Sequence, residues 1–235
     1  QARKFAELQE RLNNKEFLKG AKNAFESSKG LQEWGTQEQY NDYIARVSLG
    51  IVKNPSSGKY NYESQIKDIV YHGSNQKINQ FEIKKEPLIH FGSKNAALQR
   101  GDVLNQVLLN VKDLQTIKDG MWFLGTDEGG LLKELLGRNI LTIEEVKSIN
   151  EAKNKAIRES PYFHENYRMA LPEGEKAGNK KLQEIFKDKN IGFEYINLSE
   201  DKGSTSYAIP SQEQIHILGS KQDVEGFREF VDSRS

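Results

Sequence analysis

The side chains best suited to chemistry sit where short apolar runs break. Ile69 and Val70 lead into Tyr71-His72-Gly73-Ser74, so an imidazole is handed directly to a glycine turn. Backbone can approach a ligand closely at a glycine, which makes the end of that run a place to hold one. A second imidazole, His90, lies in the short run Leu88 to Phe91. Farther on, Glu200 falls in the polar loop Asn197–Gly203, and Ser206-Tyr207 opens a late run. If these runs are neighbouring strands, their ends surround a cleft with two imidazoles, hydroxyls and one carboxylate. That set can hold a ribose and stabilise a developing positive charge. Each residue also has a plainer reading. His72 reads also as a hydrogen-bonded histidine at a strand end, His90 as a half-exposed strand position, and Glu200 as a solvated loop acid, and for a short motif taken alone the plain reading is the commoner one.

Other chemistries are poorly supplied. The chain has no cysteine, which excludes disulfides, thiolate metal sites and a cysteine nucleophile. Its four histidines, His72, His90, His164 and His216, never stand three or four residues apart, so no metal site is expected. Gly125-Thr126-Asp127-Glu128-Gly129-Gly130 has the glycines of a phosphate loop, but two carboxylates and no following lysine. There is no G-x-S-x-G elbow. With 34 basic and 34 acidic residues among 235, the chain is formally neutral, which argues against general adhesion to nucleic acid. No apolar run is long enough to cross a bilayer and no signal peptide is visible, so no membrane partner and a cytoplasmic location are expected. Because it begins at Gln1, the chain reads as a piece of a longer protein.

The elements that must position these groups can be read from period and capping. Residues 1 to about 29 read as one long helix carrying Phe5, Leu8, Leu12, Phe17 and Phe25, ended by Ser27-Ser28-Lys29-Gly30. Thr36-Gln37-Glu38-Gln39 is a capping box opening the next helix. The loop 55–59 then separates a helical extension, 1–55, from a main domain, 60–235. Ser93 caps a helix over Ala96, Ala97 and Leu98, Val103 to Val111 is a buried strand, and 114–117 continues extended. Asp119-Gly120 turns the chain into 121–123. A short helix spans Leu131 to Leu136, and Thr142-Ile143-Glu144-Glu145 caps another that runs to about Arg158. Pro161 ends it. Residues 161–178 read as irregular, a lid or a surface loop, before a helix from Lys180 to Asn190. Strands at 192–196, 206–209 and 215–218 and a helix at 223–231 close the chain. Short scattered strands outnumbered by helix give an α+β class.

In their order and spacing these motifs resemble an ADP-ribosyltransferase domain of the branch shared by diphtheria toxin and the poly(ADP-ribose) polymerases. The resemblance is carried by Asp68-Ile69-Val70-Tyr71-His72-Gly73-Ser74, Phe81, and Ile89-His90-Phe91-Gly92-Ser93 with Ala96-Ala97. It continues through Leu108–Lys112, Asp119–Trp122, Glu194–Asn197, Glu200–Tyr207 and Gln214-Ile215, covering residues 60 to 231. Within the branch it is closest to domains in the large polyvalent proteins of phages and mobile elements.

The resemblance implies a split, mostly antiparallel sheet that binds NAD as substrate, without a metal. It implies transfer of ADP-ribose to a host protein or nucleic acid, in the host cytoplasm if the protein is phage-delivered. It also implies that the rest of a larger parent protein is a partner. By the family pattern, His72 would bond the ribose next to adenine and the Gly73 backbone would grip the nicotinamide amide. Tyr71, Ser74, Phe91 and Tyr207 would complete the NAD site. His90 stands where the family carries a stacking tyrosine, and a histidine there resembles the RNA 2′-phosphotransferases, which also consume NAD. Ser206 stands where the polymerases carry a glutamate before the tyrosine. Glu200, His90 and Ser206 are therefore the candidate catalytic residues, with Glu200 reaching in from its loop. Losing such an electrostatic stabiliser costs on the order of 3 kcal/mol, about a hundredfold in rate. A silent binding or structural module is thus the alternative to an enzyme.

Overall fold

The structure is a computed structural model that describes residues 2–53, 55, 58, 64–81, 87–120, 122, 124–125, 130–187 and 189–234. Expectations for 56–57, 59–63, 121, 123 and 126–129 lie outside the described residues.

The first segment is three helices rather than one: α1 (Ala2–Asn13), α2 (Lys15–Glu26) and α3 (Lys29–Trp34). Side-chain capping explains the breaks. Asn14 leaves the helical region (φ −77°, ψ 108°), and its Oδ1 accepts the Phe17 N–H at 3.0 Å. Ser28 starts α3 in the same way through the Leu31 N–H. Next comes α4 (Gln37–Ser48), opened by the reciprocal Thr36–Gln39 box expected for it.

The strands are β1 (Val70–Ser74), β2 (Ile89–Phe91), β3 (Val103–Leu109), β4 (Asp113–Thr116), β5 (Ile191–Ile196), β6 (Thr205–Ile209) and β7 (Ile215–Ile217). Between them lie α5 (Lys94–Leu98), α6 (Leu131–Gly137), α7 (Ile143–Glu159) and α8 (Tyr167–Lys187). A single 3₁₀ turn over Gln212–Gln214 precedes β7, and α9 (Lys221–Asp232) follows it.

Residues 167–178, expected to be irregular, belong to α8, which runs through Pro172. An interior proline opposes a helix. Here packing outweighs it, because α8 lies along α7 with Gly174 against Ile157 and Gly178 against Leu124 and Lys153. A Cβ at either glycine would fall within 2.6 Å of those side chains.

The class is α+β, with two mostly antiparallel sheets. One has the order β1-β3-β7; the other has the order β2-β6-β5-β4, in which β4 and β5 run parallel. The sheets meet through the antiparallel bridge Tyr71↔Gly92. Between them is an apolar core of Val107, Leu109 and Ile217 from one side with Ile89, Phe91 and Ile209 from the other. The outer face of the second sheet, with Phe193, Tyr195 and Ala208, is covered by α6, α7 and α8 through Leu132, Ile149 and Phe186. Helices α1–α4 share a third core with β3 and α9 through Leu31, Tyr43, Leu108, Phe227 and Phe230.

Inside that third core sits a polar knot. Asp223, fully buried, accepts from the Tyr40 hydroxyl at 2.7 Å and the Gly219 N–H at 2.6 Å, and pairs with His216 Nε2 at 2.7 Å. Satisfying a buried carboxylate in this way is what makes its burial tolerable. Among the described residues, no helix is long and apolar enough to cross a membrane.

Candidate functional site

A cavity of about 1070 Å³ opens beside the line where the two sheets meet. Pockets that enclose organic ligands are commonly about 300–1,000 Å³, so this one has room for a dinucleotide.

One wall is the end of β1. The His72 Nδ1–H donates to the His90 carbonyl at 2.8 Å, because a carbonyl can only accept. That fixes the tautomer and leaves Nε2 as an acceptor for a ligand hydroxyl. The ring is held edge-on to Phe81, with centroids 4.9 Å apart, and tilted against Phe91. Burial pushes the His72 pKa down, only partly offset by the carbonyl bond.

Gly73 also lines the cavity, and the reason for a glycine is the close approach of α5. A Cβ there would lie 1.7 Å from the Ala97 carbonyl oxygen of α5. Ser74, the next residue, is spent on the turn: its hydroxyl bonds the Gln76 carbonyl and accepts from Asn105 Nδ2 at 2.9 Å. It does not line the cavity.

The facing wall is built by strand alternation. Pairing of His90 with Ala208, and of Tyr195 with Ser206, places His90, Tyr195 and Ser206 on one face of the second sheet. Tyr207, paired with Phe91, turns to the inter-sheet core and lies outside the cavity lining. His90 Nδ1 lies 3.0 Å from the Tyr195 hydroxyl. Trp122 closes over both rings, with centroids 4.5 Å from His90 and 4.7 Å from Tyr195.

This box is neutral at pH 7. Burial, reinforced by Arg100, depresses His90 to about 4, against the smaller pull of Asp119. Burial and the charge of Asp119 push Tyr195 up to about 12. Ser206 is 1% exposed and accepts from Asn197 Nδ2 at 3.2 Å.

The loop after β5 delivers the carboxylate. Asn197 Oδ1 accepts from the N–H groups of Ser199 (3.0 Å), Glu200 (2.8 Å) and Asp201 (3.3 Å), folding 197–201 around one side-chain oxygen. Glu200 then accepts from the Ser199 hydroxyl at 2.9 Å and pairs with Arg100, which follows α5. Partial burial raises the Glu200 pKa. Hydrogen bonds from Ser199, Asn197 and its own N–H, with Arg100, more than offset that, and the carboxyl ends below its ordinary value. Asp119, the second carboxylate lining the cavity, holds the Trp122 indole N–H at 3.1 Å and the Leu198 N–H at 3.0 Å.

The structure thus gathers Tyr71, His72, Gly73, His90, Phe91, Glu200 and Ser206 around one cavity and leaves Ser74 and Tyr207 outside it. It adds Arg100, Asp119, Trp122, Tyr195 and Asn197, none of which was assigned a role from the motifs. One signal was present. Tyr195 has the same strand parity as Phe193 in Ile191–Ile196, which marks it as inward-facing beside the loop that carries Glu200. Among the described residues no group of three or more acids and histidines is placed to hold a metal ion.

Chemically, the cavity offers an uncharged box of mutually inclined rings that can take an aromatic amide, an imidazole acceptor for a hydroxyl, and carboxylates at its edge. Comparison of the chain with protein-family models, curated proteins and solved structures found no match.

Proposed function

We propose that the chain is an ADP-ribosyltransferase-like domain that binds NAD in this cleft and transfers ADP-ribose to a macromolecular acceptor. The observation that carries the reading is His72. Its Nδ1–H is fixed on the His90 carbonyl at the junction of the sheets, so Nε2 is set to accept from a ribose hydroxyl. The His90–Trp122–Tyr195 box would take the nicotinamide ring, and the Gly73 backbone would meet its amide.

In the reaction the C1′–N bond breaks with its electron pair leaving on nicotinamide. The acceptor nucleophile then bonds C1′ and gives up its proton. The ribose carries positive charge between these events, and Glu200, held ionised, is the group to stabilise it. His90, depressed to about 4, lines the pocket as a neutral ring.

Titration with NAD and assay of nicotinamide release test this reading. Wild type is expected to bind NAD and release nicotinamide in the presence of cell lysate. His72→Ala is expected to lose binding and Glu200→Gln to lose turnover while still binding. Unchanged NAD binding in His72→Ala would overturn the assignment.

A second reading, binding without transfer, is favoured by Ser206. It occupies the sheet position facing the box and carries a hydroxyl where a carboxylate would supply charge. NAD binding with no release, with or without lysate, would select it.

A further inference from the structure

The ion pair between Arg100 and Glu200 is asymmetric. The Arg100 side chain is 70% exposed, whereas that of Glu200 is 16% exposed and held by the Asn197 loop. The two join elements far apart in sequence, the end of α5 and the loop after β5, and both line the cavity. Among the described residues of that lining, the only permanent cations are Arg100 and Lys77.

An ion pair open to solvent on one side is weakly held there, because water and salt screen it and the long Arg100 side chain must be ordered to make it. A diphosphate offers more negative charge than one carboxylate, and its oxygens suit the guanidinium fork. It would therefore compete well for Arg100.

We propose that Arg100 and Glu200 form an exchangeable pair at the rim of the cleft, in which the diphosphate of a nucleotide ligand takes Arg100 and uncovers the Glu200 carboxylate. Glu200 does not need Arg100 to stay in place. Its N–H is tied to Asn197 Oδ1 and its Oε2 accepts from Ser199. Those hydrogen bonds, more than Arg100, keep the carboxyl below its ordinary range. Once Arg100 swings to the ligand, a fixed and ionised carboxylate faces the cleft. Arg100 is thus both the anchor for the diphosphate and the cover over the charge stabiliser, so the carboxylate is exposed only when a ligand of the right kind has arrived.

The inference rests on reading the cleft as a nucleotide site, and its test separates the two. The full chain is titrated with ADP-ribose, inorganic pyrophosphate and nicotinamide, in wild type, Arg100→Gln and Glu200→Gln. Arg100→Gln is expected to weaken ADP-ribose and pyrophosphate by roughly tenfold, the scale of a lost charge-assisted contact. Glu200→Gln is expected to tighten both several-fold, since it removes the competitor for Arg100. Nicotinamide binding stays within about twofold in both variants, because it uses neither group. A gain in affinity cannot come from misfolding, so the opposite signs are the signature.

Weakening in both variants would overturn the exchange, as would ADP-ribose affinity unchanged in Arg100→Gln, or no binding of either phosphate compound by wild type. The opposite-sign pattern without nicotinamide release from NAD supports the exchange and rejects the transferase. Release from NAD with both variants binding ADP-ribose like wild type rejects the exchange and leaves the transferase standing.

Discussion

The ring of His72 and the main chain of His90 are joined by one hydrogen bond, Nδ1–H to carbonyl oxygen at 2.8 Å, across the junction of the two sheets. Beside the bridge Tyr71↔Gly92, that bond ties β1 to β2. Both histidines are held neutral, since burial and then Arg100 lower both pKa values.

Neutral buried histidines make stability depend on acid. Above about pH 6.5, His90 is unprotonated in the folded and unfolded chain alike. Between about 6.5 and about 4 only the unfolded chain binds the proton, so stability falls as pH falls. From pH 7 to pH 4.5 His90 alone is expected to cost about 2 kcal/mol, with His72 adding in the same direction. Urea midpoints at the two pH values read this directly. His90→Gln should shrink the difference; an identical difference in the variant rejects the assignment.

At Gly73 the expected lesion is structural. Gly73→Ala sets a methyl 1.7 Å from the Ala97 carbonyl oxygen, so α5 must move away from β1. A loss of about 3 kcal/mol, the upper end of overpacking costs, is expected in denaturant unfolding. A loss below about 0.5 kcal/mol would mean that α5 is not seated as described.

Asn197 offers a test of the loop that carries Glu200. Asn197→Ala removes the acceptor for three N–H groups and is expected to cost about 2 kcal/mol and to lower nicotinamide release. Asn197→Asp keeps that acceptor while losing the donor to Ser206. It should therefore restore release more than it restores stability. Equal damage in both variants would show that the loop is not organised by the side-chain oxygen.

The buried knot at Asp223 predicts a large effect far from the cleft. Asp223→Ala leaves the Tyr40 hydroxyl and His216 Nε2 without this partner in a fully buried place. A cost of about 3–5 kcal/mol is expected, the scale for breaking a buried pair from one side. Tyr40→Phe, which leaves Asp223 its other partners, should cost about 1–2 kcal/mol. Thermal or urea unfolding ranks the two, and the reverse order would contradict the network.

What could be read in advance was local. The boxes Thr36–Gln39 and Thr142–Glu145 and the Ser93 cap are signals four residues long, and they form as spelled. The α+β class and the positions of the strands followed from short apolar runs. Asn14 and Ser28 were equally local signals, hidden inside an apolar stripe that continues across the breaks. The course of α8 through Pro172 was not local at all, because it depends on Gly174 and Gly178 meeting α7. The site divides in the same way. His72 and His90 announce themselves beside glycines. The partners Tyr195, Trp122 and Arg100 come from 105, 32 and 100 residues away in contacts that no period encodes: His90 to Tyr195, Trp122 over the same pocket, and Arg100 to Glu200. Tyr207 was separable from Ser206 in principle, since neighbours on a strand cannot share a face.

The two sheets, packed on a shared apolar core, exchange main-chain hydrogen bonds at one short seam. On the proposed reading, a molecule filling the cleft beside that seam would be bonded to His72 of one sheet and held in the His90 box of the other, pinning the two together. Its arrival would register first in slower amide exchange at Tyr71 and Gly92, whose N–H groups close the seam at 3.0 and 2.9 Å.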